Sequence, residues 1–284
     1  MSETQNPSPK TSVDIEGQDI HWDPNLSYGS YLHIDELLQC QTPITEQHDE
    51  MMFIVIHQSA ELWMKCCLHE MRAAMACVKN DDLGTAFKML ARVARIQLQL
   101  EQSWDILSTM TPADYASFRN DLGNASGFQS HQYRALEYAF GNKNAKMAEV
   151  HKQKPERYEY LQSVLKAPSF YDLCLQLLKK RGFDIPDSHL DRDFSLPYEA
   201  NEKVEDAWLE VYQNTEKYWD LYALAEKLVD LEHRFHAWRF SHMKTVERII
   251  GYKRGTGGTG GVSYLVKALD LRFFPELWTL RTRI

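Results

Sequence analysis

The sequence lacks the short motifs that mark secreted, membrane-spanning or covalently cofactor-linked proteins. Its five cysteines are odd in number and irregularly spaced, and they form neither a CxxC pair nor a CxxCH motif. No run of about 18 apolar residues could span a membrane. The opening MSETQNPSPKTSVDIEGQDI also lacks the basic and then apolar order of a signal peptide. We therefore expect a cytoplasmic protein with reduced cysteines and no membrane partner.

An excess of basic residues is also missing. The 284 residues include 40 Asp and Glu against 32 Lys and Arg, which gives a net charge of −8 with both signs interspersed. Because binding to nucleic acid requires a basic face, we expect no nucleic-acid partner. Aromatic residues, by contrast, make up 12% of the chain. That share favours an aromatic core or a pocket that binds a ring.

Glycine and proline are absent from three long segments, 44–83, 85–111 and 198–250. These segments are rich in good helix formers and predict long helices. As a single helix the last segment would be roughly 80 Å long, so we expect at least one break in it. The apolar run MMFIVI continues into the first segment without a breaker and is apolar nearly all round. It predicts a helix buried in the middle of a bundle.

No internal repeat or low-complexity linker divides the chain. The sequence therefore predicts an all-α protein with a single large helical-bundle domain at residues 24–284. The polar residues 1–23 are predicted to be a flexible N-terminal arm. SYGSYLHIDELLQCQTP begins the ordered part, with a short helix that ends before Pro43.

The glycine-rich stretch RGTGGTGG follows a histidine-containing helix. It lacks the GK[ST] ending of a P-loop and follows a helix rather than a strand, so it fits neither a P-loop nor a dinucleotide fingerprint. A helix cap at Gly251 followed by a flexible connector is one interpretation. Five glycines in seven residues exceed what a cap requires. The alternative is a loop that approaches a ligand closely or closes over it.

Two of the eleven histidines have unusual settings. His57 lies in the apolar FIVIHQSAELW, on the helical face that also carries Phe53, and His242 lies one turn after Trp238. Two buried histidines on separate helices suit a haem between them, although an ordinary core role stays open. His233 and His236 have a spacing that could face one zinc ion, but no third ligand is evident nearby.

A short helix is predicted after Thr111, which is a good N-cap followed by proline at the first helical position. Tyr115 and Arg119 then lie on one face of this helix. Arg119 could bind a carboxylate in two-point fashion, or it could be a surface arginine stacked on the tyrosine. The small residues of GNASGFQS would let a flat ligand approach the backbone.

Several of these motifs together resemble the tryptophan 2,3-dioxygenase family of the bacterial type. The resemblance is carried by FIVIHQSAELWMK, DYASFRNDLGNASGFQSHQYR, WRFSHMKTV and GYKRGTGGTGG, with SYGSYLHIDELL near the start and FFPELW near the end. It implies an all-helical subunit with one non-covalent b-type haem. The implied reaction inserts both atoms of O2 into the indole C2–C3 bond of L-tryptophan and yields N-formyl-L-kynurenine, the first step of the kynurenine pathway.

The resemblance also implies roles for residues around the haem. His242 would be the proximal iron ligand, and Trp104 would lie at the haem edge. Ser126 and Gly127 would lie near the haem and the bound dioxygen.

Other residues would bind the substrate. Phe53 would pack on the indole ring, and His57 would accept a hydrogen bond from the indole N–H, with orientation favoured over base catalysis. Arg119 would pair with the carboxylate, with Tyr115 beside it, and Thr256 would contact the polar end of the substrate.

The family forms a homotetramer, a dimer of dimers. Tyr28 and Tyr31 would reach into the site of a neighbouring subunit, so that the N-terminal residues complete that site.

Three alternatives stay open at this point. The first is an oxygenase with the broader substrate range of indoleamine dioxygenases. The second is a haem-binding sensor or carrier without turnover, which would not need Arg119 or the loop. The third is a helical scaffold whose histidines are structural.

Overall fold

The computed structural model describes residues 11–23 and 26–284, so the first ten residues of the predicted arm lie outside the described part. The chain divides into two compact units, residues 1–44 and 45–284. Helices dominate the described residues, and the only strands among them are two short ones, so the all-α prediction is confirmed. The division into an arm and a domain at residue 23 stays a prediction.

The N-terminal unit contains a β-hairpin within the predicted arm. Strand β1 (Ser12–Ile15) pairs antiparallel with β2 (Gln18–His21), with Ser12 opposite His21. Both residues of the turn have positive φ, 52° at Glu16 and 80° at Gly17. Turns of this kind match the twist of paired strands and favour glycine. The EG dipeptide between VDI and QDI is therefore the local cause of the hairpin.

Two five-residue helices follow in the same unit, α1 (Tyr28–Leu32) and α2 (Ile34–Leu38). Ser27 starts α1 with a capping box to Ser30. The predicted short helix is thus interrupted at His33, whose φ is 52°. Neither α1 nor α2 contains a buried residue.

The second unit is built on three long helices. Helices α3 (His48–Lys79) and α4 (Leu83–Leu107) are joined by a tight turn in which Asp81 has positive φ and Asp82 caps the backbone of Thr85. The segment 198–250 forms α10 (Glu202–Gln213) and α11 (Trp219–Ile250), so the expected break is confirmed. Helix α4 packs along both α3 and α11.

Shorter helices fill in the remainder of this unit. They are α5 (Pro112–Phe118), α6 (His131–Phe140), α7 (Pro155–Lys166), α8 (Phe170–Lys180), α9 (Asp187–Leu190), α12 (Val262–Leu269) and α13 (Pro275–Thr279). Short 3-10 turns occur at Gly127–Gln129, Ala145–His151 and Leu280–Thr282.

The prediction that α3 is buried on all sides is wrong. One face packs into the core through Met64, Leu68 and Met71, whereas the large apolar residues Val55 and Leu62 are exposed. A single apolar residue on the surface is common, but several exposed apolar residues on one helix face are uncommon. The helix is therefore a boundary element whose outer face is unusually apolar.

The unit has a large aromatic core and a smaller second cluster. The large core runs through α3, α4, α6, α8, α10 and α11. The smaller cluster joins Ile56 of α3 to Leu107, Met110 and Phe118, and Phe53, Trp104 and Tyr115 pack against it. In the described part of the chain, none of the helices is both long and apolar enough to cross a membrane.

Candidate active site

His242 is placed between two tryptophan side chains. The Trp104 indole from α4 stacks on the imidazole, with the ring centroids 4.5 Å apart and the planes at 9°. Trp238, one turn earlier on α11, lies 5.6 Å from the imidazole. Burial and, to a smaller extent, the nearby His57 together lower the pKa of His242 to about 4. The ring is therefore neutral near pH 7, which is the form that ligates a metal.

His57 has a defined tautomer because of its neighbour one turn earlier. Its Nδ1 lies 2.7 Å from the Phe53 carbonyl oxygen, which can only accept, so Nδ1 carries the proton. Burial also lowers the pKa of His57. The Nε2 atom of the neutral ring is consequently a hydrogen-bond acceptor. The Phe53 ring lies beside it, with a centroid distance of 4.2 Å.

The two imidazoles are neighbours and are partly exposed. His57 and His242 are each of intermediate exposure. Burial is the largest cause of the lowered pKa of each ring. The electrostatic influence of His57 on the pKa of His242 shows that the two rings lie near each other.

Helix α5 carries the predicted carboxylate-binding pair and begins as predicted. Thr111 and Asp114 form a capping box, and Pro112 occupies the first helical position. Tyr115 lies 5.8 Å from the Phe53 ring and packs into the small apolar cluster. Burial raises the pKa of Tyr115, and the adjacent Arg119 opposes that rise. The phenol is therefore neutral and in contact with the guanidinium.

Arg119 has one donor without an acceptor. Its Nη2 donates to the Arg254 carbonyl oxygen at 2.6 Å, but its buried Nε has no hydrogen-bond partner among the described residues. A buried donor that has no acceptor is costly. A ligand carboxylate is the group that best matches this guanidinium edge.

The glycine-rich loop folds back onto the segment that contains Ser126. Thr256 Oγ1 donates to the Ala125 carbonyl oxygen at 2.6 Å. A Cβ at Gly257 would lie 2.8 Å from the Ser126 side chain, and a Cβ at Gly261, whose φ is 62°, would collide with the Lys253 carbonyl. Gly257 therefore allows close packing, and Gly261 allows a conformation that other residues adopt with strain.

The start of this loop and the segment that it covers are both ordered by local caps. Gly251 is the C-cap of α11, and its N–H donates to the Glu247 carbonyl at 3.0 Å. The Ser126 hydroxyl accepts from the Phe128 N–H and so starts the short 3-10 turn that includes Gly127. The loop thus holds Thr256 near residues 125–127, on the same side of the site as Arg119.

The side chains around His242 fit a haem that this histidine would hold. The buried indole Nε1 of Trp104 has no hydrogen-bond partner among the described residues, so a polar edge of a ligand beside it would satisfy this donor. A neutral histidine stacked on that indole is suited to bind iron. The described residues contain no cluster of three or more His, Cys, Asp or Glu that could hold a metal ion.

The weak zinc interpretation of His233 and His236 is not supported by the contacts. Arg272 lies 2.8 Å from His236 Nδ1, and the Leu271 carbonyl accepts from Nε2 at 2.7 Å. Both ring nitrogens of His236 therefore have protein partners, while His233 is exposed.

Tyr28 and Tyr31 lie on α1 in the N-terminal unit. Their exposed fractions are 78% and 72%. Both side chains are thus available to another surface.

The sequence interpretation missed a buried charged network next to His242. Arg239, one turn before His242, pairs with Glu137 of α6. The motif WRFSH contains this arginine, but nothing in the sequence indicates that it is buried. The hydrogen bond from Arg119 to the Arg254 carbonyl was also missed, because any residue type can supply a backbone carbonyl.

Comparison with known proteins shows the family of the chain. The family model described as tryptophan 2,3-dioxygenase matches residues 14–284. A protein of that name from Bacillus thuringiensis (strain Al Hakam) is 56% identical over 267 residues, which cover 93% of this chain and 96% of the relative. One from Polaromonas naphthalenivorans (strain CJ2) is 52% identical over 277 residues, or 98% of each chain. The chain belongs to the tryptophan 2,3-dioxygenase family.

Proposed function

We propose that the protein is a haem-dependent dioxygenase that inserts both atoms of O2 into the indole C2–C3 bond of L-tryptophan. The product would be N-formyl-L-kynurenine, and the reaction would be the first step of tryptophan catabolism by the kynurenine pathway. The observation that carries this proposal is the proximity of two neutral histidines, His242 and His57, together with the buried Nε of Arg119, which has no hydrogen-bond partner among the described residues. The family to which the chain belongs supports the same reaction.

The cofactor of the proposed reaction is a non-covalent b-type haem held by His242. When bound, it supplies the iron-centred activation of dioxygen. Trp104 fixes the plane of the imidazole by stacking on it. Ser126 and Gly127 belong to the segment that the glycine-rich loop contacts, and they would lie near the haem.

The substrate is held at two ends in this proposal. Phe53 and Tyr115, 5.8 Å apart, offer an aromatic wall to the indole ring. The unprotonated Nε2 of His57 accepts a hydrogen bond from the indole N–H. At the other end Arg119 pairs with the carboxylate through its free Nε, and Thr256 contacts the polar backbone end. Two fixed ends bring the C2–C3 bond into one orientation.

His57 serves to orient the ring rather than to remove a proton. An indole N–H is a very weak acid, whereas burial lowers the pKa of His57 and makes it a weak base. The proton-transfer driving force is therefore unfavourable. A hydrogen bond from N–H to Nε2 requires no such transfer.

The glycine-rich loop acts as a lid in this proposal. Arg119 binds the Arg254 carbonyl and Thr256 binds the Ala125 carbonyl, so residues assigned to the substrate also hold the loop. A closed loop excludes water from the oxygen chemistry.

The active assembly is proposed to be a homotetramer, a dimer of dimers, in the cytoplasm. The N-terminal unit supports this idea because its helices bury no residue while Leu26, Leu38 and both tyrosines of α1 are exposed. Helices of five residues are not stable without packing. We propose that Tyr28 and Tyr31 pack into the site of a neighbouring subunit, and that the protein binds neither nucleic acid nor a membrane.

A visible absorption spectrum of the reduced protein tests the proposal. The protein is kept under argon, L-tryptophan is added, and air is then admitted. A Soret band that shifts with tryptophan, followed by the absorbance of formylkynurenine, is the expected result. A Soret band without response to tryptophan would favour a sensor or carrier, and no band after added haem would favour a structural scaffold.

Substrate range separates the narrow enzyme from the broader oxygenase. Tryptamine lacks the carboxylate that Arg119 would bind, and D-tryptophan presents it in the wrong direction. Turnover of either compound at a rate close to that of L-tryptophan would support the broader enzyme.

A further inference from the structure

Nothing in the described residues holds the His242 ring by a hydrogen bond. Metal-binding histidines are usually oriented by such a bond from the second ring nitrogen. The imidazole lies instead against two rings, Trp104 at 4.5 Å and Trp238 at 5.6 Å between centroids. Its orientation therefore depends on these two rings and on the rotation of α11 about its own axis. Because a side chain extends roughly 6 Å from that axis, a rotation of about 10° would move the ring by about 1 Å.

A buried ionic network holds α11 one turn before this point. Arg239 is 3% exposed, and each part of its guanidinium has an acceptor. Nη2 donates to Glu137 at 2.6 Å, Nη1 to the Ala268 carbonyl at 3.1 Å and Nε to the Tyr133 hydroxyl at 3.4 Å. Glu137 belongs to α6 and Ala268 to α12, so one side chain ties three helices together.

Glu137 is the centre of this network. It is also 3% exposed. Its Oε1 accepts from Arg239, from the Tyr133 hydroxyl at 3.1 Å and from Asn142 Nδ2 at 3.2 Å, and its Oε2 accepts from Arg134. A carboxylate with four donors in a fixed arrangement leaves little freedom to any of them.

The network also reaches His242 through aromatic rings. The Tyr133 ring lies 5.2 Å from Trp238, and Trp238 lies 5.6 Å from both Trp104 and His242. The same tyrosine thus contacts the carboxylate with its hydroxyl and the tryptophan with its ring. Two routes, the helix backbone and this row of rings, lead from Glu137 to the imidazole.

We propose that Glu137 is a positioning residue for the iron ligand: through Arg239 and Tyr133 it fixes the rotation of α11 and thereby the orientation of the His242 ring. The inference rests on the proposed haem site. It assigns Glu137 no contact with substrate or cofactor. Its effect is transmitted by contacts that the described residues make with one another.

The test compares Glu137→Gln with Glu232→Gln in the haem-loaded protein. Glu232 lies on α11 itself and is 0% exposed, and it accepts from the backbone of Phe273 and Phe274 and from Trp278. It is a matched control for the loss of a buried charge, since it belongs to none of the contacts around Trp238. Thermal unfolding shows how far each variant is destabilised.

The informative measurement is the iron–histidine stretching band of the ferrous protein by resonance Raman spectroscopy. Glu137→Gln should shift or broaden this band and lower kcat about 10-fold, within the range for changes next to a metal ligand. KM for L-tryptophan should change much less, because Arg119 and Phe53 lie on other helices. Glu232→Gln should leave the band and kcat unchanged, even at equal loss of thermal stability.

Tyr133→Phe is the second variant, for use if Glu137→Gln does not fold. It removes one hydroxyl and keeps the ring on Trp238, and a smaller band shift in the same direction is expected. An unchanged band in Tyr133→Phe and Glu137→Gln, or an equal shift in Glu232→Gln, would overturn the inference. If the unaltered protein binds no haem, the proposed function itself fails, which is a different result.

Discussion

The two sides of the candidate site are built in different ways. On the side of His242, the ring is held by Trp104 and Trp238 against the large core, and a buried ionic network lies one turn away. On the side of Arg119, two hydrogen bonds to carbonyl groups join α5 and the 125–127 segment to the glycine-rich loop. The first arrangement is fixed by burial before any ligand arrives. The second can open, since a ligand can replace a few exposed polar contacts.

The largest effect is expected on the side of His242. His242→Ala should lower haem content and abolish turnover, with a loss beyond the roughly 10–100-fold that changes next to a metal ligand cause. The ratio of Soret to protein absorbance measures the haem content. His233→Ala, an exposed histidine on the same helix, should retain both haem and activity; equal loss in this control would contradict the assignment.

Arg119→Ala should be next in size. Removal of one partner from a buried charge pair costs about 2–5 kcal/mol, so the Kd for L-tryptophan should rise at least 30-fold. Haem content should not change, because His242, which would bind the iron, lies on α11, whereas Arg119 is the C-cap of α5. Titration of the holoenzyme with L-tryptophan measures the Kd, and the ratio of Soret to protein absorbance measures the haem content. Arg248→Ala, which removes an exposed cation on α11, is the control. Unchanged affinity would remove Arg119 from the site.

Gly257→Ala should damage only the loop side. The added methyl would lie 2.8 Å from Ser126, so the loop cannot close as it does now. We expect weaker binding of L-tryptophan with an unchanged melting temperature, and partial recovery when Ser126→Gly is added. In Gly84→Ala the methyl meets nothing within 4 Å, which makes it the control. Normal affinity in Gly257→Ala would show that loop closure does not contribute to binding.

The smallest effect concerns the pH dependence of substrate binding. Burial lowers the pKa of His57, so its Nε2 is unprotonated and accepts a hydrogen bond at neutral pH. This acceptor is lost only when the pH falls through the lowered pKa and Nε2 becomes protonated. Affinity for L-tryptophan should be constant above about pH 6.5, the ordinary histidine pKa. Below the lowered pKa the binding free energy of L-tryptophan should become less favourable by about 0.5–1.5 kcal/mol, the contribution of one hydrogen bond. His57→Ala should bind more weakly and without this pH dependence.

Much of the site was predictable because it depends on residue types at fixed spacing. His57 and Phe53 share a helix face, and Tyr115 and Arg119 follow a capped helix start, as local periodicity requires. The error about α3 has the opposite cause. Periodicity shows that a helix is apolar all round, but it does not show which neighbours are present to cover it, and Val55 and Leu62 are exposed.

The sequence by itself determined the long helices, the end of α11 at Gly251, the capping of α5 and the family. These depend on local backbone preferences and on long, specific motifs. Only the tertiary structure decided that Trp104 stacks on His242, that Arg239 pairs with Glu137 across 102 positions, and that Arg119 reaches the Arg254 carbonyl. Contacts between distant segments depend on how helices pack, and packing is set by the whole core rather than by any one stretch of residues.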